Sequence, residues 1–460
     1  MKHTLEQANN YIKNNKDKVN PKHRHRFHLM PEIGWMNDPN GFIFFEGYYH
    51  LFYQFYPYET KWGPMHWGHA KTKDFVHYTH LPVALAPDLA HEDGCFSGGA
   101  TVYNKELLLM YTSHYNQAFQ LQEQSVASSK DGILFDKGEG KPVITIADLP
   151  IDASKTDFRD PNPVMIDQKN FVLIGSSTLD HKGQILIYET KDFKTYTYLN
   201  AIKHPLFGEI AECPDLFELD GKHILMFSAT NLKKENGRFK NVNSSLYATG
   251  TFDSNTGEFT FDHIDELDAG HHYYAPQTTL NPQNERVSIA WMQMWGKDYY
   301  TALNDHKWVG ALSFPRKLSV LNNRLIQTPF NLDRFNKSDT TTLTKNQKTS
   351  KFFHLNGSVN AVDETIVTIG HDDNFITLKI TKDIIGLDTS HTKLFPLDER
   401  TVSHQLKTVT FDLIMDNSSL ELFIKDLDKT ITTRVYFDED VLFIKTNNQT
   451  DALTIKELTI

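Results

Sequence analysis

The chain has 460 residues, too many for one ordinary hydrophobic core, so two or three domains or one large repeat architecture are expected. Its formal net charge of −11 argues against a nucleic-acid partner, which needs clustered Lys and Arg. With 31 Phe, 19 Tyr and 6 Trp, the aromatic content suits strands and sugar-stacking surfaces equally.

Residues 1–27 form an N-terminal segment. Its start, MKHTLEQANNYIKNNKDK, has no apolar run that could serve as a signal-peptide core, and no later segment approaches the ~20 apolar residues of a membrane span. A soluble, cytoplasmic protein without membrane partners is therefore expected. The densest basic run, HRHRFH at 23–28, reads as a solvated lead-in to the first strand. Cys95 and Cys213 lie far apart and in no metal-ligand spacing, so neither a disulfide scaffold, a metal site nor a cofactor is expected.

From residue 28 to 330 a repeat runs through the chain. Five segments share a plan of a polar or acidic element, an apolar run, a turn and a second apolar run. They are DPNGFIFFEGYYHLFYQ from Asp38, GGATVYNKELLLMYT from Gly98, DPNPVMIDQKNFVLIGS from Asp160, CPDLFELDGKHILMFS from Cys213 and APQTTLNPQNERVSIAW from Ala275. A second marker, built around Asp74, Asp131, Asp192 and Asp253, keeps nearly the same step of about 60 residues. Each unit holds short runs rich in Val, Ile, Leu, Phe and Tyr, separated by Gly, Asn and Asp turns, without sustained helical periodicity. The fold class predicted is all-β, with five four-stranded units arranged as a five-bladed β-propeller.

The polar stretch NLDRFNKSDTTTLTKNQKTS at 331–350 reads as a linker. From 351 to 460, alternating runs such as ETIVTIG, NFITLKI and SLELFIK recur about every ten residues and predict a C-terminal β-sandwich. No residue cluster in it argues for a site. It reads as a structural module, with packing on the propeller, pairing of two copies in a homodimer and sugar binding all open.

Residues just before the first strand of each blade gather around one mouth of a propeller's channel. That rule places Asp38, Asp160 and Glu212 on a common rim. Asp38-Pro39 and Asp160-Pro161 hold matching positions, and Glu212-Cys213-Pro214 reads as the same position with one residue inserted. Converging carboxylates suit glycoside cleavage, in which one attacks or activates water and another protonates the leaving oxygen. Arg159 is expected to limit the negative charge and orient a carboxylate by bidentate hydrogen bonding. Asp38 is expected to be ionised at neutral pH, helped by the Asn37 amide and backbone donors of the turn.

These residues resemble glycoside hydrolase family 32, the invertases, inulinases, levanases and sucrose-6-phosphate hydrolases. WMNDPNG at 35–41, FRDP at 158–161 and ECPD at 212–215 match its signatures in order. LFYQFYP around Gln54, KWGPMHWGHA at 61–70, FSGGA at 96–100, YYAPQ at 273–277 and WM at 291–292 add to them. The resemblance covers the whole propeller and implies a retaining double displacement on a β-linked fructofuranosyl unit of a small sugar. Asp38 would be the nucleophile, Glu212 the acid and then the base, and Asp160 a grip on fructose hydroxyls. Asn37, Gln54, Trp62, Phe96, Ser97 and Trp291 would line the fructose subsite.

Two other readings compete: an inverting five-bladed glycosidase of the arabinan or xylan type, and a non-catalytic carbohydrate-binding propeller. Sucrose, sucrose 6-phosphate and short fructo-oligosaccharides all remain open as substrates. The segment TSHYNQAFQLQEQ at 112–124 offers only His114 as a basic group for a phosphate.

Overall fold

The structure, a computed structural model, describes residues 3–90, 92–116, 120–235, 237–335, 339–447 and 453–459. The first unit forms four antiparallel strands, Gly34–Phe45, Tyr48–Tyr56, His66–Thr72 and Tyr78–Leu85. The third, from Ala153 to Lys203, and the fourth, from Ala211 to Glu266, are also four-stranded. The second has three strands between Gly94 and Ser129. Bridges from Ser128 to Asp136 and from Gln124 to Ile144 occupy the place of a fourth. The fifth uses Tyr274–Leu280, Arg286–Trp291, Arg316–Leu321 and Arg324–Pro329.

The first strands of the five sheets touch in a closed ring. Gly34–Phe45 contacts Gly94–Tyr103 and Tyr274–Leu280, and Ala153–Ile166 and Ala211–Leu219 complete the circuit. This is a five-bladed propeller, with each blade's apolar faces buried against its neighbours. Closure is reinforced by the short strand Trp308–Val309, inserted in blade five, which pairs in parallel with Gly34 and Trp35 of blade one. Gly310 makes that approach possible: its φ is +91°, and a Cβ there would meet the Met36 carbonyl oxygen at 2.1 Å.

The C-terminal unit is a sandwich of two six-stranded sheets around Phe353, Leu355, Val367, Ile369, Ile376, Leu413, Leu422 and Ile444. Strict alternation of buried and half-buried residues along Asn374–Ile380 shows one face turned to that core. Two short strands differ from the expected 331–350 linker. Thr341–Thr342 pairs with Leu453–Glu457, and Asn346–Thr349 pairs with Leu442–Thr446. Both are edge strands, where polar Thr, Asn, Gln and Lys are tolerated because one side faces water. Residues 336–338 of that stretch lie outside the described residues.

The lead-in at 23–28 is not solvated as expected. His23, Phe27 and His28 are buried. The backbone amides of Arg26 and Phe27 donate to Asp416 of the sandwich, and His28 sits between Asp416 and Glu421. The basic run is therefore a strap between the two units. Before it, a helix at Leu5–Asn15, opened by a Thr4–Gln7 capping box, packs Ala8 against blade one. Among the described residues no helix is long and apolar enough to cross a membrane.

Candidate active site

Every first strand carries a β-bulge at one level of the ring. Register slips between Met36 and Pro39, Phe96 and Gly98, Arg159 and Asn162, Glu212 and Asp215, and Tyr274 and Gln277. A bulge turns one extra residue out of the ladder and re-aims its side chain. Asp160, Cys213 and Ala275, each followed by proline, adopt φ of 64°, 48° and 50° there. The sterically unfavourable left-handed conformation of Cys213 and Ala275 is a local cost that the closed ring holds in place.

The bulges correct the expected register of Glu212. Arg159 and Glu212 both pair with the second strand just before the two bulged residues, so Cys213 occupies the place of Asp160. No residue is inserted. Glu212 stands one position earlier, at the level of Arg159, and reaches the centre from there with its longer side chain.

The three carboxyl groups open into one cavity of about 510 Å³. Asn37, Gln54, Trp62, Phe96, Ser97 and Arg159 line it too, as do His114, Asn116, Gln122, Thr156, Asp157, Asn243 and Trp295. Asp38 and Asp160 are only 8% and 5% exposed, at the floor. Ser97 Oγ donates to Asp38 Oδ2 at 2.9 Å, and Cys213 Sγ lies 3.7 Å from the same oxygen. Asp38 Oδ1 is buried without a hydrogen-bond partner. Asp160 Oδ2 accepts from the Cys213 amide at 2.9 Å.

Glu212 is held from two sides. Arg159 Nε and Nη2 donate to its Oε1 at 3.1 and 2.7 Å, and the Tyr274 hydroxyl donates to its Oε2. The protonation of Asp38 differs from expectation. Burial, then the neighbouring Asp160 and Glu212 charges, push its pKa up to about 7, against the opposing hydrogen bonds of Ser97 and Asn37. Burial likewise raises Asp160 to about 6, with Arg159 opposing and Glu212 adding to the rise.

Trp62 stands at the rim, 47% exposed, edge-on to Phe96. Trp291 does not line the cavity. It is fully buried, packed between Trp35 and Trp295, because it ends a strand facing the blade core while Trp295 lies in the turn beyond. The chain shows two tryptophans four residues apart, and only the strand end distinguishes them. Trp35 Nε1 donates to Asn37 Oδ1 at 2.7 Å, so it braces the bulge from behind. Asn116, Gln122, Thr156, Asp157 and Asn243 are site residues that no motif marked; Asn116, Gln122 and Asn243 come from the second and third strands of blades two and four, and Thr156 and Asp157 from the first strand of blade three.

A five-bladed propeller with three carboxyl groups converging on one polar cavity fits a glycoside hydrolase. Comparison with known proteins agrees. Residues 28–329 match the glycosyl hydrolases family 32 N-terminal domain, and residues 318–460 match the family 32 C-terminal domain. The chain belongs to glycosyl hydrolase family 32.

A sucrose-6-phosphate hydrolase of Zymomonas mobilis subsp. mobilis is 34% identical over 468 residues, spanning 90% of this chain and 87% of that relative. A second one from that subspecies is 39% identical over 323 residues, spanning 66% of this chain and 61% of its own length. The Bombyx mori GH32 β-fructofuranosidase superposes with a TM-score of 0.89 at 30% identity, covering 99% of this chain and 98% of that one. A sucrose complex of a variant of that enzyme is similar to this chain to the same degree of identity.

Proposed function

We propose that Asp38 is the nucleophile of a retaining double displacement, that Glu212 serves as its acid and then its base, and that Asp160 grips the fructosyl ring. The enzyme is a β-fructofuranosidase, cleaving the β-linked fructofuranosyl unit of sucrose, sucrose 6-phosphate or short fructo-oligosaccharides. The observation that carries the division of roles is the asymmetry of the two carboxyl groups. Asp38 keeps a buried oxygen free, whereas both oxygens of Glu212 are engaged by neighbouring donors.

In the first half-reaction the Asp38 carboxylate attacks the anomeric C2 as Glu212 passes a proton to the leaving oxygen, which departs with the bonding pair. A fructosyl ester on Asp38 results. In the second, Glu212 takes a proton from water, the water oxygen bonds to C2, and the ester bond breaks to restore the Asp38 carboxylate. Asp160, hydrogen-bonded to the bulge amide of Cys213, accepts from ring hydroxyls and strengthens its grip as C2 becomes cationic. We place the enzyme in the cytoplasm, where its two buried free cysteines stay reduced.

The test is NMR of the first-formed sugar together with two substitutions. β-Fructofuranose should appear first, before mutarotation. Asp38→Asn and Glu212→Gln should each lower kcat by roughly a thousandfold or more with the fold kept. An α-anomer as first product would sink the retaining scheme, and normal turnover in either variant would remove that residue from its role.

A further inference from the structure

The rim of the cavity carries chemistry that the double displacement does not use. Arg159 Nη1 contacts Asp157 Oδ1 at 3.2 Å and Gln122 Oε1 at 3.3 Å, while its other two nitrogens hold Glu212. Asp157 and Gln122 are therefore within one guanidinium of the proton donor, on the side where the leaving group must sit. Every nitrogen of Arg159 is already engaged.

Asp157 is a built acceptor. Its Oδ2 accepts from Ser177 Oγ at 2.8 Å and Ser154 Oγ at 3.4 Å, and its side chain is 28% exposed to the cavity. Lone pairs remain for sugar hydroxyls. Around it the described lining offers Asn116, Gln122, Thr156 and Asn243, four uncharged polar groups. His114 is stacked on Phe96 with ring centroids 4.1 Å apart, and burial lowers its pKa, so it is neutral at pH 7. The cavity thus carries four carboxyl groups, Asp38, Asp157, Asp160 and Glu212, against the single guanidinium of Arg159 among the described lining residues. Residues 117–119 lie outside the described residues, and their sequence, Gln-Ala-Phe, carries no charge.

We propose that the leaving-group end of the cavity selects an uncharged glycosyl residue, and that Asp157 is the specificity residue that accepts its hydroxyls and disfavours a phosphorylated one. The proposal rests on the β-fructofuranosidase reading above. A hexose phosphate brings a charge of −1.5 to −2, roughly, to a site whose one cation is already shared among three partners. Hydroxyls of glucose or of a second fructose meet acceptors and amides instead.

The experiment compares kcat/KM of the full-length enzyme for sucrose, 1-kestose and sucrose 6-phosphate. Sucrose should exceed sucrose 6-phosphate by about tenfold or more, and the gap should narrow as salt screens the carboxylates. Asp157→Asn should narrow it by about threefold or more, chiefly through a lower KM for the phosphorylated sugar. Thr156→Lys, at an exposed lining position, should narrow it as well and serves if the first variant folds poorly. Sucrose 6-phosphate turned over as well as or better than sucrose, or a gap indifferent to both variants and to salt, overturns the proposal and leaves the β-fructofuranosidase reading standing. Failure to cleave any of the three sugars overturns that reading itself.

Discussion

Arg159 holds Glu212 by two nitrogens on one oxygen, Nε at 3.1 Å and Nη2 at 2.7 Å, and this pair fixes the direction of the Glu212 side chain. A lysine could restore the charge but not the two-pronged geometry. Arg159→Lys should therefore lower kcat by roughly tenfold to a hundredfold with a near-normal melting temperature. Full activity in that variant would mean that charge alone matters.

The free enzyme should lose kcat/KM on the acid side. Attack by Asp38 in the proposed mechanism requires its ionised form, and burial and its carboxylate neighbours have pushed its pKa to about 7, so kcat/KM should fall as pH drops through that value. Ser97 opposes the shift by its hydrogen bond. Ser97→Ala should move the acidic limb to higher pH, and a limb moving the other way would contradict the role of Ser97.

The same shift makes the site costly to fold. A carboxyl raised above its ordinary 3.8 binds its proton more tightly when folded, so its contribution to stability is present at low pH and lost as pH rises through about 7. At pH 8, Asp38→Asn should be more stable than the parent by roughly 1 to 3 kcal/mol, and near pH 4 the advantage should vanish. Urea unfolding at the two pH values decides this, and equal stability at pH 8 would remove the electrostatic cost.

His28 works in the opposite sense. Burial alone would lower its pKa, but the hydrogen bonds that its ring nitrogens donate to Asp416 at 2.7 Å and Glu421 at 2.9 Å outweigh that and raise it to about 9. Its contribution is complete below the ordinary 6.5 and lost as pH rises through about 9. His28→Gln should thus destabilise the protein at pH 6 by roughly 3 kcal/mol, the cost of breaking a buried charge pair, and by much less at pH 10. A deficit independent of pH would show that shape, not charge, holds the strap.

Much of this was legible in the chain. The 60-residue step is visible because each blade repeats one local plan, and DPN, RDP and ECP mark the bulges because proline and short polar residues suit them. Other features were not. The strap at 23–28 looks like a solvated basic run until Asp416 and Glu421, almost four hundred residues on, close around it. Trp291, expected in the fructose subsite, is buried at a strand end facing the blade core, and Trp295, which no motif marked, lines the cavity instead. Asp157 is an unremarkable acid until the second strand of its blade brings Ser177 beside it.

The all-β class, the five units, and the placing of Asp38, Asp160 and Glu212 at the entrances of their first strands can be read from the chain alone. These follow from residue types at short range. The tertiary structure decided the register that sets Glu212 beside Arg159, the raised pKa of Asp38, and the residues at the leaving-group end. Those depend on which distant blades meet and on how far they exclude water, and neither is encoded in any one stretch of chain.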